Sequence, residues 1–143
     1  MRSFIGVLSV ALLVTATIAG CGGSASASTQ LLGDWEIDVD GMKEMEEFKK
    51  ASEMEQKMMV GMLEGMDLTV TFTESEMKSS MSMMGKTKEE SQPYSIRSES
   101  GRSLVIVGKR QDGTEEAINV TIRGKKMTVV SGNDKFALKR KGN

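Results

Sequence analysis

Side chains able to do chemistry are few in this chain, and the missing types decide as much as those present. There is no histidine among the 143 residues, and the one cysteine is Cys21. Histidine bases and nucleophiles, Cys/His zinc sites and disulfide frameworks therefore have no residues to build them, and the one cysteine, at the end of a leader, is not placed for a nucleophile. A nucleophile would have to be Ser, Lys, a carboxylate or Tyr94, with a base beside it. Glu44, Glu46 and Glu47 are neighbours, but in the setting of a solvated helix surface, so a binding or structural protein is expected rather than an enzyme. Methionine is the over-represented type, with 12 after residue 20 against five aromatics. Thioethers are soft donors that suit Cu(I), and Met77, Met81, Met83 and Met84 lie close together. Methionine also fills irregular cores and lines adaptable apolar cavities. Packing is the leading expectation for these residues, with cavity lining and copper binding as alternatives, and no cofactor or resident metal is assigned.

Cys21 sits at the end of an export signal. Arg2 supplies a positive start, Phe4 to Ala19 carries no charge, and Ile18-Ala19-Gly20 closes the run with small side chains. The run is 16 residues with Ser9, Thr15 and Thr17 inside it, short of the roughly 20 apolar residues of a spanning helix. Ile18-Ala19-Gly20-Cys21 resembles the lipobox of bacterial lipoproteins. That resemblance implies cleavage before Cys21, a diacylglyceryl thioether on its sulfur and acylation of the new amino group. Two or more acyl chains anchor a protein stably. The expected location is the cell envelope, and the outer membrane in a Gram-negative host, because Gly22 follows the cysteine where Asp would resemble an inner-membrane signal. The other reading is a secreted protein with a free thiol near its N-terminus.

Charge gives a second constraint. Without Arg2 the chain has 18 basic and 20 acidic residues, a net charge of −2, so no nucleic-acid partner is expected. The distribution is uneven. Residues 31–100 hold 16 acidic and 8 basic residues, and 101–143 hold 4 and 10. Lys109, Arg110, Lys125, Lys126, Lys139 and Lys141 would form a basic face toward anionic head groups or an acidic partner, or else solvated strand ends paired with the acidic helices.

These side chains need a frame, and the pattern supplies one. Residues 1–20 are the leader, 21–30 are small and polar and read as a flexible tether, and 31–143 form one domain. Trp35, Ile37 and Val39 alternate with Glu36 and Asp38 as a half-buried strand. The period then changes: Met42, Met45 and Phe48 step by three, and Met58, Met62 and Met66 by four, which predicts core-facing helices. Ser52 with Glu55 is a capping box, so two helices are expected rather than one. Gly61 and Gly65 share a face and would admit close backbone approach, or else mark a frayed last turn. Downstream, alternating runs around Phe72, Met77 to Met83, Tyr94 to Ile96, Leu104 to Val107, Ile118 to Ile122, Met127 to Val129 and Phe136 to Leu138 are separated by Gly, Asn and Asp turns. Pro93 should open a strand or lie on an edge. About eight antiparallel up-and-down strands result, and closure into a barrel removes their unpaired edges.

Leu32-Gly33-Asp34-Trp35-Glu36-Ile37 resembles the Gly-x-Trp opening of lipocalins and their calycin relatives. A helical pair between strands one and two is similar to the fatty-acid-binding proteins. The resemblance implies a lipocalin-like barrel, mainly β, with Trp35 on its floor covered by Arg140, which shares parity with Phe136 and Leu138. It also implies a small apolar ligand, for which Met77, Met81, Met83 and Phe72 are the candidate lining residues, while Val120 is left unassigned. No carboxylate-binding pair of fatty-acid-binding type can be placed. The function expected is that of a lipid-anchored envelope protein that binds such a ligand or serves as an interaction module. The alternatives are a Cu(I)-binding lipoprotein and a purely structural adaptor.

Overall fold

Period-two alternation becomes an eight-stranded sheet closed on itself. The structure, a computed structural model, describes residues 25–142, so the leader and Cys21 lie outside the described residues. The strands are β1 (Gly33–Ile37), β2 (Asp67–Phe72), β3 (Glu76–Met83), β4 (Lys86–Ser100), β5 (Ser103–Lys109), β6 (Glu115–Arg123), β7 (Lys126–Ser131) and β8 (Asp134–Arg140). Each pairs antiparallel with the next, and β8 returns to β1 through Trp35↔Arg140, Glu36↔Lys139 and Ile37↔Leu138. Paired residues project to one face, so the register fixes what points inward. One chain of partners runs Gly33, Phe72, Met77, Gln92, and a second runs Tyr94, Gly108, Glu116. Further round come Ile106, Ile118 and Ser131, then Leu104, Val120, Val129 and Phe136.

That inward face is apolar at one end and polar at the other. Trp35, Phe72, Tyr94, Leu104, Ile106, Val120, Ile122, Met127 and Leu138 are buried and form one continuous core. The opposite end presents Ser79, Glu90, Gln92, Glu116 and Ser131 at inward positions.

A short helix, α1 (Ala27–Leu31), closes the packed end. Residues 27–30 had been expected within the tether, but Ala27 and Leu31 are buried in the core and the helix lies against β4, β5 and β6. Five residues are too few to hold a helix in water. Docking supplies the stability, which composition alone does not reveal.

Between β1 and β2 the chain forms α2 (Val39–Lys43), α3 (Glu46–Lys50) and α4 (Glu53–Gly65). The reciprocal Ser52 and Glu55 capping box is present at the start of α4. The segment before it divides in two because Met45 adopts an extended conformation ahead of α3. The helix methionines had been expected to face the core; Met42 and Met66 do pack against it, but within α4 the structure reverses this for Met58 and Met62. Met54, Met58 and Met62 are 75%, 70% and 56% exposed, and Leu63 is the buried side chain of that helix. α4 carries apolar residues on two faces and only the Leu63 face meets the core. The other face lines an open groove of 580 Å³ with Glu47, Ala51 and Glu55. Nothing lies within 4 Å of a Cβ built on Gly61 or Gly65, so no backbone approaches them closely.

β4 is 15 residues long and is shared between two neighbours. Its first half, Lys86–Pro93, pairs with β3, and Tyr94–Ser100 pairs with β5. Pro93 stands at the changeover, opposite Glu76 at the end of β3. A residue with no N–H to give is tolerated there.

Candidate functional site

The floor of the barrel is built around Trp35 and Arg140, which lie far apart in sequence. The Trp35 indole is fully buried and its N–H donates to the carbonyl of Leu31 at 2.8 Å. The Arg140 guanidinium lies 4.1 Å over that ring. It also forks to the carbonyls of Gln30 and Leu32, groups at the C-terminal end of α1 that have no partner within the helix. Gly33 makes room for it. A Cβ there would meet the Arg140 Nη1 at 2.7 Å, and the φ of +113° is one that L side chains rarely adopt. Phe72 meets Tyr94 edge to face at 5.7 Å, and the Tyr94 hydroxyl donates to the carbonyl of Thr73. Burial, and then the charge of Glu74, push the Tyr94 phenol upward, which keeps it a neutral donor. Among the described residues this half of the barrel is packed with buried side chains.

Above it lies a cavity of 440 Å³. Met77 and Ile118 form its apolar base, and Ser79, Glu90, Gln92, Arg110, Glu116 and Ser131 form its polar wall. The cavity exists because β5 does not follow β4 upward, and Arg110 with Gln111 stands beside the part of β4 that β5 leaves unpaired. Gly108 on β5 leaves space that the Gln92 amide occupies, since a Cβ there would meet Nε2 at 2.7 Å and move it aside. Its absence lets Gln92 lie across the strand.

The charges on the wall are already matched. Arg110 donates through Nε and Nη2 to one oxygen of Glu116, at 3.1 and 2.7 Å. The Ser131 hydroxyl donates to the other oxygen of Glu116. The Ser131 bond first, and then Arg110, hold the Glu116 carboxyl below the usual carboxylate range. Glu90 is likewise lowered by its 2.6 Å contact with Lys88. No isolated charge faces the cavity, and its chemistry is that of hydrogen-bonding groups above an apolar base.

Of the residues singled out for ligand lining, Met77 meets the cavity. Phe72 and Val120 are buried in the packed core beneath it, Met81 is half-buried further along β3, and Met83 is 41% exposed near the β3–β4 turn. At about 3.3 Å per strand residue, Met77 and Met83 lie roughly 20 Å apart, so these two do not share one ion. The basic residues grouped by the sequence divide between the two ends. Lys109 and Arg110 lie at the cavity end, while Lys125, Lys126, Lys139 and Lys141 lie at the α1 end. The polar wall is hard to see in the sequence because Glu90 and Gln92 sit in a wholly polar stretch of β4, and Ser79 and Glu116 break otherwise apolar rows of β3 and β6. For Glu90 and Gln92 only the register shows the inward side, whereas Ser79 shares the parity of Met77 and Met81, and Glu116 that of Ile118 and Val120.

No protein-family model matches the chain, and no curated protein matches it. Among solved structures, the REP1-NXSQ fatty acid transporter is 13% identical with a TM-score of 0.38, the alignment covering 80% of this chain and 98% of that one. A point mutant of that transporter is 14% identical with a TM-score of 0.39, covering 79% and 99%. Likeness at this level assigns nothing to the chain.

Proposed function

We propose that this chain is a lipid-anchored envelope protein, held through Cys21, whose barrel binds a small amphipathic molecule with an uncharged polar head. The supporting observation is the 440 Å³ cavity with Met77 and Ile118 below and hydrogen-bonding side chains above. That volume is in the range of small-molecule sites, which typically span about 300–1,000 Å³. The head group is argued from the pairing of Arg110 with Glu116 and of Lys88 with Glu90, which leaves no lone cation to hold a carboxylate. Titration calorimetry with a medium-chain monoacylglycerol and with the matching fatty acid tests this. The monoacylglycerol should bind more tightly, and Ile118→Trp, which fills the base, should abolish binding. No heat of binding with the wild type, or equal binding by the filled variant, would overturn the reading.

A further inference from the structure

We propose that the α1 end of the barrel is a membrane-facing surface that docks on anionic lipid head groups through Arg102, Arg123, Lys125 and Lys141. The orientation rests on the proposed lipid anchor at Cys21; the charge pattern stands without it.

Chain length sets the first constraint. Ala27 is buried in the core, six residues after Cys21. At no more than about 3.6 Å per residue, a lipidated Cys21 can stand only about 22 Å from Ala27. The packed floor is then tied close to the bilayer, and the cavity opens on the far side.

Strand direction sets the second. β1 starts beside α1 and β8 ends there, so the β2–β3, β4–β5 and β6–β7 turns and the end of β8 all gather at this end. Hydrogen bonds from Arg140 N to the Lys125 carbonyl and from Lys141 N to the Asp34 carbonyl join the last two places to β1. The β4–β5 turn carries Arg102, the β6–β7 turn carries Arg123 and Lys125, and the chain after β8 carries Lys141. All four are exposed, and none makes an ion pair among the described residues. Their neighbours Lys126 and Lys139 are engaged by Asp38 and Glu36 at 3.8 and 3.7 Å.

The carboxylates of this end lie away from the four cations or are engaged, apart from Glu44 and Glu46, which line a groove with Arg123. Glu74 and Glu76 lie at the β2–β3 turn, which in a ring of eight strands is diametrically opposite the β6–β7 turn. Glu99 accepts from the Ser28 N–H of α1, and Asp34 accepts from the Thr71 hydroxyl. Residues 39–65, between the upper ends of β1 and β2, hold seven acidic and four basic residues. This acidic segment packs on β8 through α2, and Arg102, Lys125 and Lys141 lie outside the groove that it forms there. Clustered cations beside an anionic leaflet are attracted to its surface potential.

Two preparations test the surface and the anchor separately. The lipidated chain, its Cys21 sulfur blocked, is given a reporter thiol by Ser103→Cys at the α1 end or Asn133→Cys at the cavity end. It is reconstituted into phosphatidylcholine vesicles with or without phosphatidylglycerol and a head-group quencher. The Ser103→Cys reporter should be quenched several-fold more than the Asn133→Cys reporter, and the difference should shrink without the anionic lipid. In parallel, the chain from Gly22 onward, which retains the whole described barrel, should float with phosphatidylglycerol vesicles. Arg123→Ala and Lys125→Ala should each weaken that binding roughly five-fold. Equal quenching at both sites, or flotation indifferent to anionic lipid and to both substitutions, would overturn the docking surface even if mass spectrometry finds Cys21 lipidated. An unmodified Cys21 with anionic flotation intact would instead overturn the anchor and leave the surface standing. Binding to an acidic protein without binding to vesicles counts against the lipid surface.

Discussion

Replacing Arg140 by lysine asks whether the barrel floor depends on a fork of donors or only on a positive charge. Arg140 makes two hydrogen bonds, to the carbonyls of Gln30 and Leu32, and stacks 4.1 Å over Trp35. A hydrogen bond from a charged donor is worth about 1.5–3 kcal/mol, and a cation over an aromatic face adds about 0.5–1 kcal/mol where water has access. Lysine keeps the charge but cannot reach both carbonyls and stacks less well. Arg140→Lys should therefore cost about 2–3 kcal/mol. Arg140→Ala should cost about 4 kcal/mol, the lower part of the summed range, because the half-buried carbonyls it abandons gain water. Urea unfolding followed by the emission of Trp35, the one tryptophan, measures both. Hydrogen exchange of the α1 amides supplies a local readout, since the fork is what fastens that helix. An Arg140→Lys variant within about 0.5 kcal/mol of the wild type, with α1 amides equally protected, would show that charge alone suffices and would refute the reasoning.

Gly33→Ala forces a side chain onto a φ of +113° and into the Arg140 guanidinium; urea unfolding should show a loss of about 2–4 kcal/mol, from left-handed strain together with overpacking. Trp35→Phe removes the 2.8 Å bond to the Leu31 carbonyl and should cost about 2–4 kcal/mol, an unsatisfied buried carbonyl plus lost volume, measured by circular dichroism. Because Glu116 is held below the usual range by Ser131 and then Arg110, its stabilising contribution is present above the ordinary Glu value and is lost as pH falls through the folded-state value. Carboxyl NMR titration of Ser131→Ala should move the Glu116 midpoint upward, and an unchanged midpoint would remove Ser131 as the leading cause. Cleavage before Cys21 and palmitate labelling should both disappear in Cys21→Ser, and labelling equal to the wild type would end the lipoprotein reading.

How much of this was open to sequence reading depends on whether an element announces itself locally. The strands did, because burial on one face writes a period of two into residues such as Ile118, Val120 and Ile122 whatever the neighbouring strands do. The α4 capping box did as well, since Ser52 and Glu55 satisfy each other within one turn. The face that α4 buries did not. Leu63 and the row Met54, Met58, Met62 are both apolar at helical spacing, and only the docked position on the barrel selects between them. Helix α1 was hidden for a related reason. Its Ser- and Ala-rich sequence has no local signal, and it is held by Arg140, more than a hundred residues away.

The cavity is the least legible feature because it is a consequence of unequal strand lengths. A 15-residue β4 beside a seven-residue β5 leaves the upper half of β4 without a partner on that side, and no residue type marks such a mismatch. The same mismatch explains the placement of the polar residues. Near Trp35 every inward position is enclosed, and a charged side chain there would bear a full desolvation cost. Near Gln92 and Glu116 the open side admits water, so charged and hydrogen-bonding groups persist at inward positions with their partners. The division of the barrel into a packed floor and a polar-walled chamber thus follows from where β5 ends. Lengthening β5 by residues able to pair with Ser91 and Gln92 would close the chamber without changing one residue that lines its base.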